Sequence, residues 1–159
     1  MEEKIFKELY LFMKDYLKVL IKAYEESLNL RKRLRENKIE KIEKMIPQIE
    51  NLDIKIKMLE NTKESLLSKL AKSLDMNVRN INWELVKKRG GKEIAELGKL
   101  IEDKVKNLVD ANIVNKIIIE KLIMFNSSLL NVIRNDGESL YSSDGNINSS
   151  HENSMLEEV

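Results

Sequence analysis

Apolar residues in the first third of the chain recur at the alternating three- and four-residue spacing that places side chains on one face of an α-helix. The main series consists of Ile5, Leu9, Phe12, Tyr16, Val19, Ala23, Leu30 and Leu34. A second series widens the apolar face and consists of Phe6, Met13, Leu17, Leu20, Tyr24 and Leu28. The pattern predicts a helix over about 3–35 that packs against more than one neighbouring element.

The apolar period restarts with a shifted phase at Ile39, after the polar residues 35–38. These polar residues are the predicted turn, and a second helix is predicted over about 38–74. Pro47 lies inside this second pattern, where a proline removes one backbone hydrogen bond and clashes with the preceding turn. We expect the helix to kink at Pro47 rather than to begin anew there.

The helical period is lost from Asp75 onward, and only a short piece over about 82–89 has helical character before it resumes. Asn82 stands at the start of that piece, where an asparagine side chain can cap the first backbone amides. Two adjacent glycines at 90 and 91 then break the chain. A third long helix is predicted over about 92–135.

Beyond residue 136 the chain is dominated by Ser, Asn, Gly, Asp and Glu. Such a composition buries too little apolar surface to offset the loss of chain entropy on folding. The prediction is therefore an all-α fold, an elongated three-helix bundle or antiparallel coiled coil over 1–136, with a disordered acidic tail over 137–159 that contains a docking segment.

Charge and composition exclude several classes of protein. The net charge is +6 over 1–89, zero over 90–136 and −5 over 137–159, and acidic residues alternate with basic ones along each predicted helix. That alternation is unlike the one-sided basic surface of a nucleic-acid-binding protein. The N-terminus lacks the features of a signal peptide, and no charge-free stretch is long enough to insert into a membrane. We expect a cytoplasmic protein.

Residue types that carry catalysis are scarce in this sequence. There is no cysteine, and the single histidine, His151, lies in the predicted tail. The glycines at 90 and 91 lack the spacing of a phosphate-binding loop. The carboxylates recur beside lysines at helical spacing, as on a solvated helix face. We therefore expect no catalytic residues, no cofactor and no metal site, and we expect that the protein is not an enzyme.

The most informative segment is 113–133, in which 13 of 21 residues are Ile, Val, Leu, Met or Phe. One seam of a bundle needs roughly nine of them. The surplus indicates a surface for a partner or a second copy of the chain, unless this helix is central to the core. Asn112, Asn115 and Asn126 fall on or beside the seam, where each either fixes register, faces a partner or points to water.

The last third of the chain contains the stretch Leu108-Val-Asp-Ala-Asn112-Ile-Val-Asn115, with two asparagines spaced by three, and a tyrosine, Tyr141, followed four residues later by Gly145. In these features it resembles the FlgN family of flagellar type III export chaperones. The order of the predicted helices, the short insert and the acidic tail also resemble that family. The resemblance extends over roughly 1–146.

The resemblance implies a chaperone that binds the terminal helices of the hook–filament junction proteins FlgK and FlgL and docks on the cytoplasmic domain of the export gate protein FlhA. It assigns gate docking to Tyr141. Client binding is assigned to Asn112, Asn115, Ile118, Leu122, Phe125 and Leu129.

Two alternatives to this function stay open at the level of the sequence. The first is a homodimeric coiled-coil scaffold, in which a second copy covers the surplus apolar surface. The second is a related flagellar chaperone with another client. The sequence alone does not decide between them.

Overall fold

The computed structural model describes the backbone of residues 1–143 and the side chains of residues 1–135, and its regular structure is helical throughout. Helix α1 spans Glu2–Arg35, α2 spans Ile39–Ser73, a 3-10 turn spans Val78–Asn80, α3 spans Trp83–Arg89 and α4 spans Gly91–Ser143. No strand occurs within residues 1–143, so the predicted all-α class is confirmed. The chain divides into two compact units, residues 1–116 and the residues from Ile117 onward.

The core of the first unit is built from the predicted apolar face of α1 and from residues of the three other helices. Of this core, Leu9, Met13 and Leu20 of α1 are almost completely buried, and both predicted apolar series of α1 contribute to it. The other helices and the loop before α3 add Leu66, Leu70, Ala71, Ile81, Val86, Ile94 and Ile101. Burial of this apolar area is the main favourable contribution to the folding of the unit.

Helices α1 and α2 run antiparallel. The ammonium of Lys69 lies 3.3 Å from the carboxylate of Glu8, and the hydroxyl of Tyr16 donates to the carboxylate of Glu60 over 3.2 Å. As the residue number rises along α1, the contacting residue number falls along α2. The two helices therefore form a hairpin closed by the short turn at Glu36–Lys38.

Helices α1 and α4 run parallel within the first unit. The ammonium of Lys104 lies 4.7 Å from the centre of the Tyr24 ring, and Asn115, further along α4, bonds to Ser27, further along α1. Because α4 follows α1 in direction, the chain must return between the end of α2 and the start of α4. The segment that contains α3 makes this return.

The turn after α1 is closed by a residue in the left-handed conformation. Asn37 has φ of 53°, its amide donates to the carbonyl of Leu34 over 3.1 Å, and the amide of Lys38 donates to the carbonyl of Arg33 over 3.2 Å. These two bonds define a Schellman motif, which satisfies carbonyls that the helix itself leaves free. Asparagine tolerates this conformation better than most residues do.

The end of α2 repeats this arrangement with a less suitable residue. Asp75 has φ of 51°, its amide donates to the carbonyl of Lys72 over 3.4 Å, and the amide of Met76 donates to the carbonyl of Ala71 over 2.9 Å. The carboxylate of Asp75 also lies at the negative end of the α2 dipole. This position is therefore unfavourable in both conformation and charge.

Helix α3 begins with the predicted cap, since the side chain of Asn82 accepts a bond of 2.8 Å from the amide of Leu85. A Cβ atom on Gly90 would lie 2.8 Å from the side chain of Ile94, and Gly91 has φ of 84°. Only glycine fits both conditions without strain. The two glycines thus allow the tight passage from α3 into α4.

Two details of the helices differ from the prediction or complete it. Helix α2 continues through Pro47 as one element, so no new helix begins at the proline. Helix α4 does not end at residue 135 but continues to Ser143, so the predicted end of this helix is wrong. A single glycine at 137 weakens a helix by only about 1 kcal/mol and does not stop it. Residues 144–159 of the predicted tail lie outside the described residues.

Replacing Asp75 by glycine is expected to stabilise the fold. Glycine removes both the left-handed strain and the carboxylate at the end of α2, and we expect the free energy of unfolding to rise by about 1 kcal/mol. Urea denaturation followed by circular dichroism measures it. Asp75→Asn is the matched control, because it removes the charge and keeps a Cβ atom in the left-handed conformation. A glycine variant no more stable than the asparagine variant would contradict the strain argument.

The contact of Tyr16 with Glu60 predicts a loss of stability at high pH. Burial of the hydroxyl, followed by the negative charge of Glu60 and the bond to it, raises the pKa of Tyr16 to about 12 from 10.0. The folded state therefore favours the protonated tyrosine. The stability that this preference contributes is complete below about pH 10 and is lost as the pH rises toward 12.

Melting temperatures of the wild type and Tyr16→Phe, measured over this interval, test the effect. Phenylalanine cannot ionise, so the stability advantage of the wild type should shrink as the pH rises. An advantage that stays constant across the interval would be inconsistent with the raised pKa of Tyr16.

Candidate functional site

The asparagine pair identified in the sequence lies in a polar network between α1 and α4. The amide nitrogen of Asn115 donates to the carbonyl of Ser27 over 2.8 Å and to its hydroxyl over 3.0 Å. The Ser27 hydroxyl in turn donates to the side-chain oxygen of Asn112 over 2.8 Å. Arg31 donates to the side-chain oxygen of Asn115 over 3.2 Å and to the carbonyl of Ala111 over 3.1 Å. The chain of donors and acceptors fixes the orientation of both amides.

Asn115 is only 4% exposed and Ser27 only 5%. Every buried side-chain nitrogen or oxygen among the described residues has a hydrogen-bond partner. Asn115 therefore fixes the register of α4 on α1, and its side chain is already occupied within the chain. These contacts do not test its assignment as a client-binding residue, which stays a proposal. Asn112 is exposed, and for it a role in client binding stays a proposal.

The partners of the asparagines in α1 were not identified from the sequence. Ser27 occupies the place where the apolar series of α1 skips one member, between Ala23 and Leu30. That gap is the signal that could have indicated it, since a small hydroxyl in a seam often faces another polar group. Arg31 gives no such signal, because basic residues surround it in the sequence.

The second unit begins at Ile117, and its described side chains, as far as residue 135, contain no buried residue. Among the proposed client-binding residues, Phe125 is 63% exposed and Leu129 46% exposed, while Ile118 and Leu122 are half-buried. The exposed large apolar side chains of this segment are Ile117, Ile119, Ile123, Met124, Phe125, Leu129, Leu130, Val132 and Ile133. Isolated exposed apolar residues are common on protein surfaces, but a continuous set of this size marks an interaction surface.

Most of these apolar residues share one side of the helix. With 100° of rotation per residue, they cover about half of its circumference. We call this side the apolar face, and it comprises Ile118, Ile119, Leu122, Ile123, Phe125, Leu129, Leu130, Val132 and Ile133. The opposite side carries mainly polar residues, namely Glu120, Ser127, Ser128 and Asn131. Four of the proposed client-binding residues thus lie together on one face, namely Ile118, Leu122, Phe125 and Leu129.

Polar and charged residues interrupt or border the apolar face at defined positions. By the same rotation of 100° per residue, Lys121 lies just beyond one edge of the apolar face and Arg134 lies just beyond the other. Asn126 lies within the face, between Leu122 and Leu130 along the helix, and its side chain is exposed. The segment therefore offers a wide apolar strip with basic edges and one central amide.

Tyr141 lies within α4, which extends to Ser143. The sequence placed this tyrosine beyond the end of the helix, and that placement is wrong for the backbone. The helix continues because Glu138 and Leu140 are good helix formers and no proline follows them. The Tyr141 side chain lies outside the described side chains, so its docking role stays a proposal.

The described part of the chain has neither a membrane-spanning helix nor a cluster of metal-binding side chains. No helix there has the length and hydropathy needed to cross a bilayer. Within the same residues, no three acidic, histidine or cysteine side chains come close enough to hold a metal ion.

Comparison with known proteins gives one match. The family model described as FlgN protein matches residues 14–149, which is most of the chain and includes both asparagines of the network, the whole apolar face and Tyr141. No curated protein and no solved structure gives a significant match. On the strength of the family match, the chain belongs to the FlgN family of flagellar export chaperones.

Proposed function

We propose that this chaperone binds the terminal helices of the hook–filament junction proteins FlgK and FlgL, keeps them unassembled in the cytoplasm and delivers them to the export gate protein FlhA. The observation that carries the proposal is the apolar face of α4, most of whose side chains are exposed. A chaperone for self-associating helices needs a surface of this kind, because it must replace the apolar contacts that the clients would make with each other.

The shape and composition of the apolar face support an amphipathic helix as its ligand. A face that covers about half of a helix offers a continuous strip for apolar side chains at the spacing i, i+3, i+4 and i+7. Full burial of a single large apolar side chain contributes about 1.5–3 kcal/mol, so a few anchors suffice for a stable complex. Phe125 provides the largest of these anchors, and such aromatic residues dominate the energetics of many interfaces.

Lys121 and Arg134 border the apolar face, one on each side. A client helix with acidic residues beside its apolar side would be attracted to both edges. A second copy of the chain is the alternative occupant of this face, and the oligomeric state of the free protein at micromolar concentration distinguishes the two.

Delivery to the export gate is the second part of the proposed function, and it assigns gate docking to Tyr141. This residue lies near the C-terminal end of α4, beyond the last member of the apolar face. A contact there leaves the apolar face free for the client. The client and FlhA can then be bound at the same time by different parts of one helix.

Phe125→Asp is expected to weaken client binding by on the order of a hundredfold, because the variant places a charge where an aromatic anchor must be desolvated. Titration calorimetry with the terminal segment of a junction protein measures the affinity. Binding of the wild type should also show a negative heat-capacity change, which marks the burial of apolar surface.

Asn131→Asp is the matched control for this variant. It introduces the same charge into the same segment, on the side opposite the apolar face. Circular dichroism should find both variants folded, since Phe125 and Asn131 are exposed. A folded Phe125→Asp variant with wild-type affinity would exclude the apolar face as the client surface.

Tyr141→Ala is expected to weaken docking on the cytoplasmic domain of FlhA while leaving the client affinity and the melting temperature nearly unchanged. Loss of one aromatic anchor from a small interface lowers affinity by roughly tenfold or more. The affinity for FlhA is measured by surface plasmon resonance, with Ser142→Ala as the neighbouring control. Equal FlhA affinities for Tyr141→Ala and the wild type would contradict the assignment.

A further inference from the structure

We propose that the end of the hairpin formed by α1 and α2 binds a membrane surface that carries anionic phospholipid headgroups. We call this end, residues 32–44 of the first compact unit, the basic tip. It has six basic residues and three acidic ones, namely Lys32, Arg33, Arg35, Lys38, Lys41 and Lys44 against Glu36, Glu40 and Glu43. The proposal goes beyond client binding and does not depend on the apolar face.

Three cations of the basic tip lie close together around a single carboxylate. One oxygen of the Glu36 carboxylate lies 2.9 Å from the ammonium of Lys38 and 3.2 Å from the guanidinium of Arg33. The charge of Lys38, followed by that of Arg33, lowers the pKa of Lys41 from its usual value. The positive charge at this point is therefore only partly neutralised within the chain, and an added anion would relieve the repulsion.

Helix stability does not account for two of these lysines. Basic residues in the last turn of α1, such as Arg33 and Arg35, interact favourably with the negative end of that helix dipole. Lys38 and Lys41 lie instead at the start of α2, where the dipole is positive and favours acidic residues. The two lysines are therefore placed unfavourably for folding and favourably for binding an anion.

The exposure of the basic tip fits a broad surface as its partner. All of residues 35–41, which join the ends of two helices, are exposed, and Ile39 among them is 61% exposed. In a membrane the headgroups move laterally, so anionic lipids can collect beside the cations and leave Glu40 and Glu43. Ile39 fits at the boundary between headgroups and acyl chains, and an acidic protein segment provides no such apolar environment.

Co-sedimentation of the full chain with lipid vesicles tests the proposal. The wild type should bind vesicles of equal parts phosphatidylglycerol and phosphatidylcholine, and binding should weaken as salt screens the charges. A triple variant with Lys38→Gln, Lys41→Gln and Lys44→Gln should bind these vesicles more weakly by on the order of tenfold or more, because each basic residue near an anionic surface contributes to binding. Its melting temperature should stay close to that of the wild type.

A second triple variant, with Lys92→Gln, Lys99→Gln and Lys106→Gln, is the matched control. It removes the same charge from exposed positions of α4 within the first compact unit and should bind like the wild type. Equal losses in the two triple variants would overturn the proposal, because the net charge of the protein rather than the basic tip would then determine binding.

Two further probes separate the membrane from other partners. Vesicles of phosphatidylcholine alone should not be bound, and binding that is equal with and without phosphatidylglycerol, as apolar adhesion would give, overturns the proposal. Poly-L-glutamate represents an acidic protein. If it binds through the lysines of the basic tip while anionic vesicles do not, the partner is an acidic protein and the membrane proposal fails. Client binding is tested separately by Phe125→Asp, so each proposal can fail without the other.

Discussion

The hydrogen bonds between Asn115 and Ser27 are the constraint on which the alignment of α4 along α1 depends. The rest of that contact is largely apolar, and apolar side chains tolerate a shift of one helical turn at modest cost. A buried amide does not, because a shifted Asn115 would lose its partners and stay desolvated. Two polar residues therefore define the alignment that many apolar residues stabilise. Arg31 strengthens this effect by joining the asparagine to the backbone of the preceding turn, at Ala111.

Helix α4 thus has two parts with different surroundings. Up to residue 116 its apolar seam is buried with α1 and α2, as Ile94 and Ile101 illustrate, and it contributes to the stability of the fold. From Ile117 onward comparable side chains stay exposed in the described residues, where they contribute nothing to that core. An exposed surface of this kind lowers solubility, so its retention is a cost that binding must offset. The proposed client binding would be the reason for retaining it.

The features that depend on periodicity could be predicted from the sequence. The features that depend on one particular residue could not. The apolar series of α1, the cap at Asn82 and the glycine break before α4 all follow from local rules. The role of Asn115 does not, since it depends on Ser27, which is 88 residues away in the chain. The end of α4 was placed too early because one glycine and a fading apolar period look like a stop signal. Residues with a high helix propensity, such as Leu140, keep the segment helical despite the glycine.

The large separation between Ser27 and Asn115 also has a consequence for the order in which the chain folds during synthesis. The hairpin of α1 and α2 is complete by Ser73, and its contacts are closer in sequence than those of α1 with α4. It can therefore form while α4 is still inside the ribosome. The apolar face leaves the ribosome only after the segment with Asn115, which docks on the finished hairpin. The apolar face is thus synthesised only after the residues that build the core, so it is absent while the hairpin folds.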